Sequence, residues 1–199
     1  MVEGYNWGII GVVLGVILGF TLNLIKDWIQ NRAKKNTEIF YLSVLVINKL
    51  DRFSSDSLEV IADNGSLSSN GEYSPVIKWP DFEPLSIDVN WRVLPEKLIL
   101  DIFSFPSKID YANYLIYGAF SNCSCPPDHD LGFEEMHYQY AILALEAMEL
   151  ANRLRKLSKL AMPEYEQHEF NPTLSLTELI KNIETKRRTG KQTESPFLK

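Results

Sequence analysis

"GIIGVVLGVILGF", residues 8–20, places Gly8, Gly11, Gly15 and Gly19 inside a run of branched and aliphatic side chains. From Trp7 to Ile25 there are nineteen residues without a charge, interrupted only by Thr21 and Asn23. A helix of that length covers about 28 Å, enough to cross the hydrocarbon of a bilayer. A cleaved secretory leader would need positive residues before the run and a small-residue cleavage site after it. Here Met1–Asn6 carry one charged side chain, Glu3, and "KDWIQNRAKK" follows the run. The expectation is an uncleaved transmembrane helix over 7–25, after a short extracytoplasmic N-terminus over 1–6.

Charge asymmetry orients such a span. Lys26, Arg32, Lys34 and Lys35 lie directly after it against Asp27 alone. Positive flanks stay on the cytoplasmic side, so residues 26–36 form a basic juxtamembrane segment and the rest of the chain is cytoplasmic. Trp7 and Trp28 bracket the span at the depth indole rings prefer. The location this implies is a single-pass protein of the cell (inner) membrane with its N-terminus outside.

The glycine spacing of three and four, from Gly8 through Gly11 and Gly15 to Gly19, draws one stripe along a helix, and Asn23 continues it. Half of the ten glycines fall in the first nineteen residues. Lipid tails are as apolar as leucine, so helices in a bilayer associate through close packing, which a small-residue stripe permits. Gly8, Gly11, Gly15, Gly19 and Asn23 therefore form the expected association face, with a second copy of the chain as its partner.

Composition bounds the remainder. The chain of 199 residues is 45% hydrophobic with net charge −6, leaving enough length after the anchor for one domain with a real core. The acidic balance and the lack of a basic stripe argue against nucleic acid. The fold class expected is mainly α: a transmembrane helix followed by a cytoplasmic helical bundle-like domain over 37–185, with a polar flexible tail over 186–199.

Within that domain, Ile39, Leu42, Val46, Leu50, Phe53 and Ile61 keep helical steps, so 37–62 should be an amphipathic helix. Continuing from the anchor it would make a rod of roughly 80 Å, with "NTE" at 36–38 the natural place for a bend. "DNGSLSSNGEYSP", 63–75, reads as a loop. "LSIDVNWRVL", 85–94, alternates, so residues 76–93 either pair as a small β-hairpin or lie as an aromatic-rich strap without a ladder. Pro95 should open a helix that Pro106 stops, and Ser107 should cap the next. A long helix is expected from Asp130 to Ala161, stopped by Pro163, with Glu134 and Glu135 at its start and Arg153, Arg155, Lys156 and Lys159 at its end as a solvated pattern. Ser175 and Glu178 should cap a final short helix, Leu176–Arg187. At its end and just past it, Lys186, Arg187, Arg188 and Lys191 are a basic group placed to meet solvent or anionic lipid.

Candidate chemistry is sparse. Cys123, Cys125 and His129 of "CSCPPDH", with His137, are ligand types that hold zinc, but no second cysteine pair completes a finger. Glu134 and His137 form one E-x-x-H step, where a di-iron site needs two. There is no G-x-S-x-G, H-E-x-x-H, Walker or dinucleotide motif, so no catalytic residue and no cofactor is assigned. The reading is a self-associating interaction or scaffold module with Tyr73, Trp79 and Phe82 as the surface for a cytoplasmic protein partner. A pore-forming or membrane-perturbing effector is the first alternative, and an anchored metalloenzyme the second.

Overall fold

A computed structural model describes residues 4–67, 69, 71–122, 130–163 and 171–193, with side chains at 4–10, 13, 122 and 190–193 outside the description. The mainly helical expectation holds. The first helix, α1, runs unbroken over Gly4–Ala62, 59 residues or about 88 Å. A two-residue antiparallel ladder follows, β1 (Ser66–Leu67) against β2 (Tyr73–Ser74). Then come α2 (Glu96–Asn122), α3 (Asp130–Ser158) and α4 (Pro172–Thr193). Among the described residues no helix is long and apolar enough to cross a membrane. The side chains of 7–10 and 13, within the apolar run, lie outside that description. The expected span is carried only as far as its helical form and its exposure.

Helical period sets the core. Leu42, Val46, Leu50 and Phe53 of α1 are buried, as expected, together with Val60. They face Met136, Tyr140, Ala144, Ala147, Ala151 and Leu154 of α3, which runs antiparallel to α1: Asp63 meets His137 at one end and Asp51 pairs with Arg155 at the other. Ser54 and Ser57 are buried in this contact and satisfy their hydroxyls by donating to Leu50 O (2.9 Å) and Phe53 O (2.7 Å). Ser54 Oγ also lies 3.5 Å from Ala144 O. Ser43 Oγ, equally buried, has no partner among the described residues.

Several local expectations are corrected. Residues 36–38 do not break α1, which stays helical through them, with Thr37 Oγ1 donating to Ala33 O (3.1 Å) within the helix. Pro106 does not end a helix but lies inside α2. Leu98, Ile102, Phe105, Ile109, Ala112 and Ile116 are all buried at steps of three and four, so one apolar face spans the proline and packing outweighs its missing N–H. α3 ends at Ser158, well short of Pro163. Lys159 takes φ 58° and Leu160 N donates to Arg155 O (2.9 Å), a left-handed helix stop. The final helix begins earlier than Ser175, because Asn171 Oδ1 accepts from Thr173 N (3.0 Å) and Leu174 N (3.4 Å) ahead of Pro172. It continues to Thr193, through the first part of the expected polar tail.

Residues 76–93 form a strap, not a hairpin. The strap has 3-10 turns at Pro84–Ser86 and Trp91–Val93, and the only ladder among the described residues is β1 with β2. Its alternation is real: Ile87 and Val93 are buried, Val89 and Trp91 half-buried, and Ser86, Asp88, Asn90 and Arg92 exposed. One side lies on helices and the other in water, which gives a strand-like pattern without a strand partner. Leu85 departs from it at 80% exposure, since the turn buries Pro84 instead.

These packing differences are measurable by urea unfolding. Phe105→Ala, which removes the ring set edge-on against both Phe53 and Phe82, should cost about 3–5 kcal/mol. Leu85→Ser should stay within about 0.5 kcal/mol. Ser43→Ala, which removes an unpaired buried hydroxyl, should stabilise by about 1 kcal/mol. Equal losses at Phe105 and Leu85 would show that the strap register is wrong.

Candidate functional site: the open face of the first helix

α1 leaves the helical domain on its N-terminal side. Every described side chain from Gly11 to Glu38 is exposed, including Val16 at 68%, Leu18 at 64% and Phe20 at 64%. A methyl group added at Gly11, Gly15 or Gly19 would meet nothing within 4 Å, and Asn23 is exposed as well. Gly8 lies in α1, with its surroundings outside the description. Trp28 carries the Arg32 guanidinium over its ring at 5.3 Å.

The unbroken helix fixes where this stripe points. At about 100° per residue, Gly11, Gly15, Gly19, Ala33, Thr37, Phe40 and Val44 fall within about 40° of one line. Leu42, Val46 and Phe53, which face the core, lie on the other side. Phe40 (49% exposed) and Val44 (41%) therefore continue the glycine face beyond the basic segment, and Tyr41 flanks them. Sequence reading missed these three. The available signal was that they are large apolar residues off the core period. A shallow groove of about 520 Å³ between Tyr41, Leu45 and Asn48 of α1 and Ser86–Asp88 of the strap lies alongside.

The expected partner surface is mostly internal. Phe82 is buried and packs edge-on to Phe105, with centroids 5.6 Å apart. Trp79 is half-buried between Tyr117 (4.9 Å) and Tyr140 (6.2 Å). Only Tyr73 of the three is exposed, at 38% on β2. The aromatic residues hold the strap down because its backbone has no ladder to do so. Tyr140 Oη donates to Asn113 Oδ1 (2.9 Å), and burial pushes its phenol above the ordinary range.

Neither a scan against models of known protein families nor comparisons with curated proteins and with solved structures found a match. Function is therefore argued from geometry.

The metal candidates do not come together where they are described. Cys123, Cys125 and His129 lie outside the described residues, as does His168. Glu134 accepts from Lys186 Nζ (2.6 Å) and Arg187 Nε (3.1 Å), whereas His137 Nε2 sits 2.9 Å from the Asp63 carbonyl oxygen. No group of three metal-ligating side chains occurs among the described residues. Of the charges expected to be solvated, Lys156 and Lys159 are exposed, whereas Glu134, Glu135, Arg153 and Arg155 form cross-helix pairs. Arg153 binds Asp101 of α2 (2.7 Å), the buried Arg155 binds Asp51 of α1, and Glu134 and Glu135 hold α4.

Asp63 organises the far end of α1. Its carboxylate accepts from the backbone N–H groups of Gly65 (2.8 Å), Val76 (2.7 Å) and Ile77 (2.8 Å). Gly65 needs its positive φ of 77° and its lack of a side chain, since a Cβ there would lie 2.5 Å from the Phe133 ring. Burial raises the Asp63 pKa, but the three N–H donors and nearby His137 outweigh it and hold the group below its ordinary value. A depressed folded pKa adds stability that is present above the unfolded value of 3.8 and is lost as pH falls through the folded value. Asp63→Asn should cost about 1–3 kcal/mol at pH 7. It should also flatten the fall in unfolding free energy as pH drops from 5 toward 2. An unchanged acid slope in urea titrations would remove Asp63 from that role.

Proposed function

We propose that this protein is a single-pass, membrane-anchored module that gathers copies of itself and presents a helical domain at the cytoplasmic face to a protein partner. Residues 7–25 span the inner membrane with the N-terminus outside. Residues 26–36 set that orientation, and the open face of α1 is where copies meet. One observation carries the reading: α1 is continuous, every described side chain from Gly11 to Glu38 is exposed, and the glycine line stays open through Phe40 and Val44, where the opposite side (Leu42, Val46) is committed to the core.

The physical support is the cost of the alternative. A face of Val12, Val16, Ile17, Phe20 and Leu24, each more than half exposed, exceeds what a protein surrounded by water keeps uncovered. Lipid satisfies it, and the uncharged run is long enough to reach across. Within lipid, the glycines let a second helix approach closely. Beyond the basic segment, Phe40 and Val44 supply apolar contact in water, where burial itself drives association. The span has no ionisable residue to line a conducting path, which favours a packing role over a pore.

The mass of the assembly in lipid nanodiscs, native against a chain with Gly11, Gly15 and Gly19 all changed to leucine, tests this. The native chain should form an oligomer, and the variant should dissociate with a constant at least about tenfold larger. Val44→Ser with Phe40→Ser should weaken it further. Two monomers, or two equal oligomers, would remove the glycine face from any role in assembly.

A further inference from the structure

α4 is held by a small apolar contact and an ionic latch. Leu176, with half-buried Leu179 and Ile180, covers Ala141, Ala144 and Met148 of α3. One turn beyond Ile183, Lys186 and Arg187 bind Glu134, Arg187 Nη2 also binds Glu135 (2.7 Å), and the guanidinium lies 4.6 Å over the Tyr138 ring. Lys186 is 74% exposed and Glu134 only 12%, so the acidic half of the latch is the fixed, partly buried half. Lys186 and Arg187 offset the burial of Glu134 and hold its carboxyl below the ordinary range.

The helix itself is of a different chemical kind from the domain beneath it. Residues 172–193 hold Lys181, Lys186, Arg187, Arg188 and Lys191 against Glu178 and Glu184, in a chain whose net charge is −6. A helix with one apolar stripe and a basic remainder is the composition that lies on anionic lipid. Chain length allows the move. Twelve residues, 159–170, join α3 to Asn171, a reach of about 40 Å when extended. Docking needs only the roughly 15 Å back along α3 from Ser158 to Met148, whose sulfur meets Thr173. α3 ends toward the Asp51 level of α1, the side from which the stalk leaves, while docked α4 carries its basic end away toward the Asp63 end.

We propose that α4 is a releasable lipid-binding arm: the Glu134–Glu135 seat on α3 and an anionic membrane surface compete for the same basic helix. The proposal rests on the anchored reading above, because tethering is what keeps the arm near a leaflet. Binding to the seat neutralises the arm, and binding to lipid uncovers Ala141 and Met148.

Hydrogen–deuterium exchange of the full chain in nanodiscs, phosphatidylcholine alone against a mixture with phosphatidylserine, tests it. In the anionic discs residues 134–148 should exchange at least about fivefold faster while 172–188 stay protected. In neutral discs Glu134→Gln with Glu135→Gln should speed exchange in both segments, since an isolated helix of this length is marginal in water. Arg188→Gln with Lys191→Gln, which leaves the Glu134 and Glu135 pairs in place, should reduce the response to anionic lipid. Equal exchange in the two lipids overturns the proposal. So does faster exchange of both segments in anionic discs, or a response unaltered by the Arg188 and Lys191 changes. Flotation with neutral vesicles reads the anchor separately. A chain that fails to float is given neutral or anionic vesicles from outside, and the same exchange comparison then decides for or against the arm.

Discussion

The close approach of α1 and α3 is the contact on which the other elements depend. It carries small buried residues on both helices, Ser54 and Ser57 on α1 and Ala144, Ala147 and Ala151 on α3, with Ser54 Oγ 3.5 Å from Ala144 O. Small side chains let the helix backbones come near enough for a serine hydroxyl to reach a carbonyl of the facing helix. Once that pair is set, α3 offers one side to α2 and another to α4, and the strap lies back along α1. The strap is fixed at both ends to α1, by the Asp63 carboxylate at its start and by Asn90 Nδ2 on Glu38 Oε2 (3.0 Å) near its end. Those anchor points are 25 residues apart along α1 and its end, about 37 Å, so the intervening chain runs largely extended around its 3-10 turn at Pro84–Ser86.

Helix period was the legible part of the sequence. The buried stripes of α1 and α3 fall where steps of three and four put them, while α4 docks through the buried Leu176 and Ile183 with Leu179 and Ile180 half-buried beside them. Helix ends were less legible, because each rested on a rule about one residue while the structure answers to a whole face. Pro106 looks like a stop when read with its neighbours. It is tolerated because Ile102 and Phe105 before it and Ile109 after it share one buried side. Lys159 carries no signature of a left-handed stop, yet it takes that conformation. Alternation at 85–93 was correctly seen as one-sided burial, but the pattern does not say whether a strand or a helix surface lies beneath.

Charge was the harder reading. Glu134, Glu135, Arg153 and Arg155 sit where a helix dipole would favour them, and that explanation is complete within one helix. Each also finds an opposite charge on another element, a relation that spacing along α3 does not encode. The candidate association face had the reverse character. Its glycines stand out in the sequence, whereas Phe40, Tyr41 and Val44 become visible only once the core is known and these three are left outside it. Of the aromatic residues singled out in the sequence, Trp79 and Phe82 serve the fold.

The uninterrupted form of α1 has a mechanical consequence. A helix without a joint carries torsion as well as load, so the azimuth of the helical domain is locked to that of residues 7–25. On the proposed reading, two copies that meet through their glycines have no freedom to choose how their domains face one another. The angle between them is set by the number of residues in the stalk. Lengthening it by a whole heptad would nearly preserve the mutual orientation, and adding one residue would turn each domain by about 100°. The stalk is thus a gauge of phase as much as a spacer.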